Sequence, residues 1–555
     1  MIKVSVVVPV YNAGAYVESC APSLVGQSLG PQSYEVVYVD DGSTDDSLRR
    51  LERLAARHPH VRVLTQENSG WPGRPRNVGV RAARGEYVQF VDQDDELTPQ
   101  ALESLYRLAS RNGSDIVLGK VTGTMQGPSR VFKRTRERCT ASDAPLFDSL
   151  TPHKMFRRRF LLDHGIEFPE GRVRLEDQIF MARAYVRART VSIFADHPCY
   201  IWNRRADGGN TSSRGSTPET YYGHLRSVVD AVKGATRPGA HQDHLLRRSY
   251  RVELLRPVIE PRVLQRKGED LDRYFRVVRR MAEECFPPGV PEGLPAITAL
   301  RARLLADGRL DSLIELARRV QRIRPRVTVS DVRWEDGRLS VTTTLRMVHS
   351  GGRPLVLRER RGRLLLDPDL VSGIEGAEDW EVPDPFTSAF GDLLVHDTAR
   401  DLWWFDHTDL TPALESVPGA GHAVALSATV ALDPLTLAGG RPLPPGTHHV
   451  WVSGQLLGVG RRSRLAVPGL RPSARALGTP PRLVVPTRTL DDSQLFLAVG
   501  PTGRTALPSR LLLRATTEPV VRRTARDLVR RTPEGLRPLV RGADPWTRRR
   551  ATRSG

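Results

Sequence analysis

Residues 4–12 read Val-Ser-Val-Val-Val-Pro-Val-Tyr-Asn, a run of mostly β-branched residues that ends in the polar pair Tyr11 and Asn12. Similar short apolar runs recur at residues 36–39, 61–64, 87–91 and 116–118. Between these runs, apolar residues recur at the spacing of a helix. Continuous apolar strands of this length are typical of a sheet that is buried on both faces. Because the strands alternate with helices, the sequence predicts an α/β domain with a doubly wound, mostly parallel sheet.

Polar clusters follow three of these predicted strands, at the points where the strands end. They lie at residues 9–12, 40–43 and 92–95. In an open α/β sheet, ligands bind outside the carboxyl ends of the strands. If the strands are ordered 3-2-1-4, the three clusters are adjacent, and the sequence predicts one ligand site along this edge.

The third cluster, residues 92–95, reads Asp-Gln-Asp-Asp and holds three carboxylates. Asp92 and Asp94 are two apart, so in an extended segment both side chains point the same way. Such carboxylates repel one another at neutral pH, and Mg²⁺ or Mn²⁺ bound by one or two of them removes that repulsion. The alternative is an acidic turn that caps the helix beginning after Thr98.

Asp41, Tyr11 and Arg76 are candidates for contacts with a nucleotide. In this interpretation the Asp41 carboxylate accepts the N3–H of a pyrimidine, Tyr11 packs on the base, and Arg76 reaches the nucleotide. The alternatives are an Asp-Gly turn that caps the next helix and, for Arg76, a solvated surface side chain.

Five segments in a fixed order are more specific than any one of these residues. Within 95 residues the chain reads Val-Val-Val-Pro-Val-Tyr-Asn, Val-Asp-Asp-Gly-Ser-Thr-Asp, Gln-Glu-Asn-Ser-Gly, Arg-Asn-Val-Gly and Val-Asp-Gln-Asp-Asp. Over residues 1–205 this series resembles the family 2 glycosyltransferases, which have the GT-A fold. One segment departs from the family: many members read Gly-Pro-Gly-Ala-Ala-Arg-Asn where residues 70–77 read Gly-Trp-Pro-Gly-Arg-Pro-Arg-Asn.

The resemblance implies a role for each matching position. Binding of a nucleotide-sugar is implied for Pro9, Tyr11, Asp41, Asn68, Arg76 and Asp92. Asp94 is the implied ligand of a divalent metal, Mn²⁺ or Mg²⁺, that bridges the diphosphate. The expected activity is that of a metal-dependent hexosyltransferase with a UDP-sugar as its donor.

A further pair of acids, Glu176 and Asp177, lies in the segment Arg-Leu-Glu-Asp-Gln at residues 174–178. By resemblance to the family's Glu-Asp motif, Asp177 is the general base that accepts the proton of the acceptor hydroxyl, typically a contribution of about 10²–10⁴-fold. Attack from the face opposite the diphosphate inverts the anomeric carbon in a single displacement. The alternative is that both acids only complement the dipole of a helix N-terminus.

Five residues are candidates for contacts with the donor or the acceptor. Glu176 is one of them. Lys154 and Arg157 lie in a segment that is common in the family, within a helix expected at about residues 154–164, and the alternative is a solvated basic face. Trp202 and Arg205 precede residues 208–212, which are a candidate lid over the donor. For Trp202 the alternative is ordinary core packing.

The chain divides into regions of different character. Residues 1–215 are the predicted catalytic domain, and residues 216–322 a helical linker. Short alternating runs and Asp-Gly turns predict one or two immunoglobulin-like β-sandwiches over residues 323–515, and residues 516–555 form a basic tail. The four cysteines lack metal-ligand spacing, and no stretch approaches the ~20 apolar residues of a membrane span, so a cytoplasmic location is expected.

The chain carries 83 Lys and Arg against 63 Asp and Glu, a net charge of +20 that attracts polyanions. The series of catalytic domain, helical linker and β domains resembles the bacterial enzymes that add N-acetylglucosamine to wall teichoic acid, whose C-terminal domains drive oligomerisation. The expected acceptor is therefore a phosphate-containing wall polymer. The alternative is a lipid-linked or capsular glycan, with the basic tail on the inner face of the membrane. Nucleic-acid binding is not expected, since the sequence has no helix-turn-helix, zinc spacing or aromatic ribonucleoprotein motif.

Overall fold

The computed structural model describes residues 1–125, 127–205, 215–406, 408–471, 473–479, 481–489 and 492–502. The candidate lid at residues 208–212 and the basic tail lie outside the described residues. The described chain forms a mixed α/β domain, then a helical region, then antiparallel sheets, which confirms the predicted fold class.

The strands described within residues 1–205 join in one mixed sheet. They are β1 (Val4–Val10), β2 (Tyr34–Asp40), β3 (Val61–Thr65), β4 (Tyr87–Phe90), β5 (Glu96–Leu97), β6 (Ile116–Gly123), β7 (Arg136–Cys139), β8 (Met155–Arg157) and β9 (Val191–Trp202). The order along the sheet is β3-β2-β1-β4-β8-β6-β9-β5, and β7 pairs with β9. The first four strands in this order are parallel, so the predicted order 3-2-1-4 is confirmed.

Helices alternate with these strands along the chain. They are α1 (Tyr16–Val25), α2 (Ser47–Arg57), α3 (Gly73–Ala82), α4 (Ala101–Asn112), α5 (Arg158–Asp163) and α6 (Glu176–Tyr185). Helix α3 approaches β1 closely because Gly79 has no side chain: an added Cβ would lie 2.3 Å from a methyl group of Val7. This helix begins at Gly73, so Pro75 lies in its first turn, where its missing N–H is tolerated.

The prediction of a helix at about residues 154–164 is wrong for the first residues of this range. Strand β8 lies antiparallel between β4 and β6, and helix α5 begins only at Arg158. Met155 and Phe156 point to opposite faces of the sheet and are both fully buried, so both faces are covered at this strand. Two adjacent apolar residues therefore fit a central strand here, although their spacing alone does not distinguish a strand from a buried helix.

The linker region is helical, as predicted. Its helices are α7 (Pro218–Lys233), α8 (Ala240–Arg248), α9 (Arg262–Gln265), α10 (Gly268–Cys285), α11 (Ala296–Ala306) and α12 (Leu310–Gln321). Thr217 caps α7, since its side chain accepts the backbone N–H of Thr220. Helix α8 continues into a π-helix over Ser249–Leu254. Among the described helices, none is both long and apolar enough to cross a bilayer.

Two antiparallel sheets make up the described part of residues 323–502. Their elements are β10 (Arg324–Glu335), β11 (Arg338–Val348), β12 (Val356–Arg360), β13 (Arg363–Leu366), α13 (Pro368–Val371), β14 (Phe390–Asp397), β15 (Leu402–Phe405), β16 (Thr411–Val417), β17 (Gly421–Leu432), β18 (Gly446–Leu456), β19 (Val459–Arg464), β20 (Arg475–Leu477), β21 (Arg482–Arg488) and β22 (Leu495–Thr502). One sheet is ordered β10-β11-β17-β12-β13 with β16 beside β17, and the other β15-β14-β18-β22-β21-β20 with β19 beside β18.

The two sheets form one sandwich. The chain passes between them, because β14 and β15 belong to one sheet while β16 and β17 return to the other. They also face one another closely: a Cβ added at Gly454 of β18 would lie 3.0 Å from Leu426 and 3.1 Å from Leu345 of the opposite sheet.

The sandwich packs against the α/β domain through polar contacts. The Thr122 hydroxyl donates to the carbonyl of Trp403 at 2.5 Å, and Lys120 donates to the carbonyl of Phe405 at 3.4 Å. Lys133 forms an ion pair with Asp392, and both side chains are at most 10% exposed. These buried, paired groups join the sandwich to the α/β domain.

Candidate functional site

The three polar clusters predicted at strand ends meet at the carboxyl edge of the sheet. The Gln93 amide accepts the backbone N–H of Tyr11 at 2.9 Å and donates to the carbonyl of Tyr11 at 3.2 Å. The backbone N–H of Asp41 donates to the carbonyl of Val10 at 2.7 Å. These contacts join the segments that follow β1, β2 and β4, as the predicted strand order requires.

Asp41 and Asn68 are brought together beside this edge. The buried Asp41 carboxylate accepts hydrogen bonds from the Ser69 backbone and hydroxyl and, at 2.6 Å, from Gln66. The Asn68 amide donates to the backbone carbonyl of Asp41 at 2.8 Å. The Tyr11 side chain is 39% exposed, so its ring is accessible at the edge.

Pro9, another of the predicted binding residues, is buried within β1. It pairs in register with Val39 of β2. Its position therefore shapes the strand end that carries Tyr11, and its ring lies among the buried residues of the sheet.

The acidic segment at residues 92–95 is a turn and not the extended segment that the sequence predicted. The backbone N–H of Asp95 donates to the carbonyl of Asp92 at 3.1 Å, which turns the chain back on itself. As a result Asp92 and Asp95, rather than Asp92 and Asp94, converge: with His153 they place one ligand atom each within 4.8 Å of the others. Asp94 lies in the same turn and is half-buried.

The Asp95 carboxylate accepts hydrogen bonds from strand β9 and from the residue that follows this strand. The Tyr200 hydroxyl donates to Asp95 at 2.6 Å, and the backbone N–H of Asn203 donates to its other oxygen at 2.7 Å. Burial and the nearby carboxylates of Asp92 and Asp94 nevertheless raise the pKa of Asp95 well above its ordinary value. Negative charge is thus concentrated at this turn.

His153 belongs to the site and was missed by the sequence reasoning. Its Nε2 lies 3.0 Å from Asp92, and its ring stacks on Tyr200 with centroids 4.3 Å apart. The available signal was the pair His153 and Lys154 directly before the apolar Met155 and Phe156. That signal points to the site only once the segment is recognised as the strand beside β4.

Arg76 connects the acidic turn to the predicted base. Its Nη2 donates to Asp92 at 2.8 Å and its Nη1 to Asp177 at 2.7 Å, while the side chain is only 3% exposed. Burial alone would lower the pKa of Arg76, but Asp177, Asp92 and Glu176 outweigh it and raise the pKa, so the guanidinium stays charged. Arg76 and His153 likewise outweigh the effect of burial on Asp92 and hold its pKa well below its ordinary value.

Glu176 and Asp177 are the first residues of helix α6. Leu175, just before them, has a φ of 64°, which turns the chain sharply into the helix. Burial, with smaller contributions from Glu176 and Asp92, outweighs Arg76 and raises the pKa of Asp177 to about 7. Burial also raises the pKa of Glu176, against the opposing effects of Arg76 and a hydrogen bond from Trp71. Trp71, part of the segment that departs from the family, is thus buried beside Glu176 and Asp177.

The remaining candidates lie in three different environments. Lys154 is buried, with its ammonium on the carbonyl of Thr151, and burial lowers its pKa to about 7. Trp202 lies edge-on to His153 with centroids 5.8 Å apart, and Arg205 lies over the ring of Tyr16.

Arg157 is not brought into the cluster. It pairs in register with Tyr87, at the start of β4, and contacts Glu86. Asp92 lies five residues after Tyr87, which at 3.3 Å per residue is about 16 Å of extended chain. Arg157 therefore lies at the other end of β4 from the acidic turn.

The acidic turn has donors that suit a divalent cation. Carboxylates are the ligands that Mg²⁺ and Mn²⁺ prefer, and imidazole is a common additional ligand of transition metals. A cation would also relieve the repulsion that raises the pKa of Asp95. The donor set therefore fits a divalent metal, without selecting between Mn²⁺ and Mg²⁺.

The α/β fold, with an acidic turn after β4 and the acids Glu176 and Asp177 at the start of α6, defines a glycosyltransferase of the GT-A type. Residues 5–176 match the model of glycosyl transferase family 2, and residues 218–317 match that of the glycosyl transferase TarS linker domain. A glycosyltransferase of Streptococcus pneumoniae, GlyG, is 30% identical over 37% of this chain and 71% of its own length. The chain belongs to the family 2 glycosyltransferases.

Two other relatives are named as poly(ribitol-phosphate) glycosyltransferases. The poly(ribitol-phosphate) beta-glucosyltransferase of Bacillus spizizenii is 36% identical over 44% of this chain. The poly(ribitol-phosphate) beta-N-acetylglucosaminyltransferase TarS of Staphylococcus aureus is 35% identical over the same share. The matched segments span 39% and 43% of these two relatives, less than half of their length.

Solved structures of S. aureus TarS resemble this chain. TarS 1–349 in complex with UDP-GlcNAc has a TM-score of 0.52 and 27% identity, covering 64% of this chain and 98% of that one. A longer TarS structure covers 91% of this chain and 86% of its own, at a TM-score of 0.52 and 20% identity, and shows a similar fold.

Proposed function

We propose that this chain transfers a sugar from a UDP-sugar to a hydroxyl group of a poly(ribitol phosphate)-type wall polymer, with inversion at the anomeric carbon. The observation that carries the proposal is the buried bridge Asp92–Arg76–Asp177, which joins a nucleotide-binding edge to a carboxylate at a helix start. The same residues carry the motifs by which the chain resembles its family. The proposed domains are residues 1–215, 216–322, 323–515 and 516–555.

In this mechanism Asp177 accepts the proton of the acceptor hydroxyl while the new C–O bond forms and the bond to the diphosphate breaks. Pro9, Tyr11, Asp41, Asn68, Arg76 and Asp92 surround the nucleotide. Asp94, beside Asp92, Asp95 and His153, would hold the divalent cation, Mn²⁺ or Mg²⁺. When bound there, the cation would supply positive charge against the diphosphate as it departs.

The acceptor assignment draws on the named activities of the relatives and on charge. Both teichoic acid relatives use poly(ribitol phosphate), which carries one negative charge per repeat, and this chain has a net charge of +20. The donor sugar is proposed as glucose or N-acetylglucosamine, since the two relatives differ in it. Self-association through the β-sandwich and membrane contact of the basic tail belong to the same proposal.

Nucleotide release from a panel of UDP-sugars tests the donor and the acceptor together. We expect release that depends on a poly(ribitol phosphate) acceptor and that stops when a chelator removes divalent cations. Release that requires a neutral or lipid-linked glycan would contradict the polymer assignment. Full activity in chelator after metal removal would contradict the role of the acidic turn.

The pH dependence of turnover follows from the raised pKa of Asp177. A general base works only as the carboxylate, and its pKa is about 7, so kcat/KM should rise with pH until it levels off above about 7. Below that pH it should fall by about tenfold per unit as Asp177 becomes protonated. The profile of kcat/KM with saturating acceptor checks this, and a flat profile from acid to neutral pH would contradict it.

A further inference from the structure

The side chain next to the proposed base is held by the linker region. Gln178 follows Asp177 in α6, and both ends of its amide are engaged. Its Nε2 donates to Glu253 at 2.8 Å, and its Oε1 accepts from Arg248 at 2.8 Å. The first turn of α6 is therefore attached to two residues of the linker.

Those two linker residues form a buried, paired cluster. Arg248 donates to Glu253 at 2.7 Å, and the Tyr221 hydroxyl donates to the other oxygen of Glu253 at 2.5 Å. Burial alone would raise the pKa of Glu253, but Arg248, Tyr221 and Gln178 outweigh it, so the pKa is lowered and the carboxylate stays ionised. Both oxygens of this buried carboxylate accept hydrogen bonds, and such a network restricts the side chains that form it.

The π-helix explains why Arg248 and Glu253 reach the same partner. In an α-helix, residues five apart are rotated by about 140° from one another and face different directions. Here the backbone N–H of Leu255 donates to the carbonyl of Tyr250, five residues earlier, at 3.1 Å. This wider turn brings Arg248 and Glu253 to one side, and such π-helical turns are frequent at functional sites.

A second linker contact holds the chain just before the base. The backbone N–H of Arg174 donates to Nδ1 of His224 at 3.0 Å. His224 and Tyr221 are three residues apart on α7, so they lie on the same face of that helix. One face of α7 thus contacts the chain before Glu176 directly through His224, and is joined to Gln178, after Asp177, through Glu253.

We propose that Tyr221, His224, Arg248 and Glu253 are positioning residues that fix Asp177 relative to Arg76 through Gln178 and Arg174. This inference rests on the proposed function of Asp177 as the base. The linker region is then part of the catalytic apparatus as well as a connection between domains. Displacement of a catalytic group by about 1 Å costs about 10²-fold in rate, so loss of these contacts lowers turnover without touching the nucleotide.

Two conservative variants, Gln178→Met and Tyr221→Phe, test the inference in the full-length chain. We expect kcat to fall at least tenfold for Gln178→Met and severalfold for Tyr221→Phe, while the KM for the UDP-sugar and the Kd for UDP stay within twofold. The control is Glu219→Gln, which lies on the same helix in an exposed pair with Arg273 and should leave kcat unchanged. Wild-type kcat in both test variants, or an equal loss of UDP affinity, would overturn the positioning role.

A charge exchange gives a second test, because it shows whether turnover and the melting temperature recover together. Gln178→Glu alone places two carboxylates against each other and should lower kcat. Adding Glu253→Gln restores one carboxylate and one amide between Arg248 and α6, and should recover most of kcat. Failure of the double variant to recover kcat while its melting temperature does recover would overturn the inference. Full turnover in Asp177→Asn would instead reject the proposed function itself.

Discussion

The Asp177→Asn variant is expected to lose about 10²–10⁴-fold in kcat for sugar transfer, because asparagine cannot accept the proton of the acceptor hydroxyl. Asparagine has the same shape, and its carbonyl oxygen still accepts a hydrogen bond from Arg76, which lies 2.7 Å from the Asp177 carboxylate. The site should therefore keep its geometry and its affinity for UDP. Steady-state kinetics with UDP-sugar and saturating acceptor, with UDP binding measured by calorimetry, check both expectations.

Two matched variants separate the base from its neighbours. Glu176→Gln changes the adjacent acid and should reduce kcat much less, because Arg76 lies 3.9 Å from Glu176 but 2.7 Å from Asp177. Asp163→Asn changes an exposed acid at the end of α5 and should have no effect. If Glu176→Gln were the more damaging variant, or if Asp177→Asn retained a tenth of wild-type kcat, the base would be another group.

The sheet of the catalytic domain could be predicted because its strands have strong local signals. Strands β1, β2 and β4 are buried over their whole length, and their sequences carry short runs of valine and aromatic residues, which are typical of a sheet buried on both faces. Because parallel strands run in the same direction, the polar residues that follow them are expected at one edge of the sheet. Strand β8 lacked such a signal, since three residues are too few to show a period, and its place between β4 and β6 is decided by tertiary packing.

The site was predicted in its residue types and only partly in its geometry. Asp92, Arg76 and Asp177 do converge, although 85 residues separate Asp92 from Asp177 in the sequence. Spacing along the chain did not show that residues 92–95 form a turn, because the hydrogen bond from Asp95 to Asp92 depends on backbone dihedrals. For the same reason the sequence paired Asp92 with Asp94, where the structure pairs it with Asp95 and His153.

The contribution of the linker to the site has no signature in the sequence. Glu253 and Arg248 are five residues apart, a spacing that predicts no contact in an α-helix and becomes a contact only in the π-helix. Gln178, Tyr221 and His224 are ordinary polar residues on amphipathic helices. Contacts between domains depend on the docking of whole helices, which local patterns do not encode.

Removal of the Arg76 guanidinium is expected to have the second large effect, on both stability and turnover. In Arg76→Met, Asp92 and Asp177 lose the buried cation that lies 2.8 Å and 2.7 Å from them, while Asp92 keeps a further partner in His153. Breaking a buried ion pair by removing one partner typically costs about 3–5 kcal/mol of unfolding free energy. A large decrease in the melting temperature, together with loss of UDP binding and turnover, should be observed by calorimetry and kinetics.

Arg76→Lys keeps the charge and distinguishes the bridge from the charge alone. Lysine has one nitrogen where the guanidinium uses two, Nη1 on Asp177 and Nη2 on Asp92, so it cannot hold both carboxylates in this geometry. A lost charged hydrogen bond is worth about 1.5–3 kcal/mol, so kcat/KM should fall by about 10- to 100-fold while the protein stays folded. Arg157→Lys, at the opposite end of β4, is the matched control and should retain wild-type kcat/KM. If Arg76→Lys were as active as Arg157→Lys, the two-nitrogen bridge would have no part in catalysis, and the charge of residue 76 alone would account for its burial between the two acids.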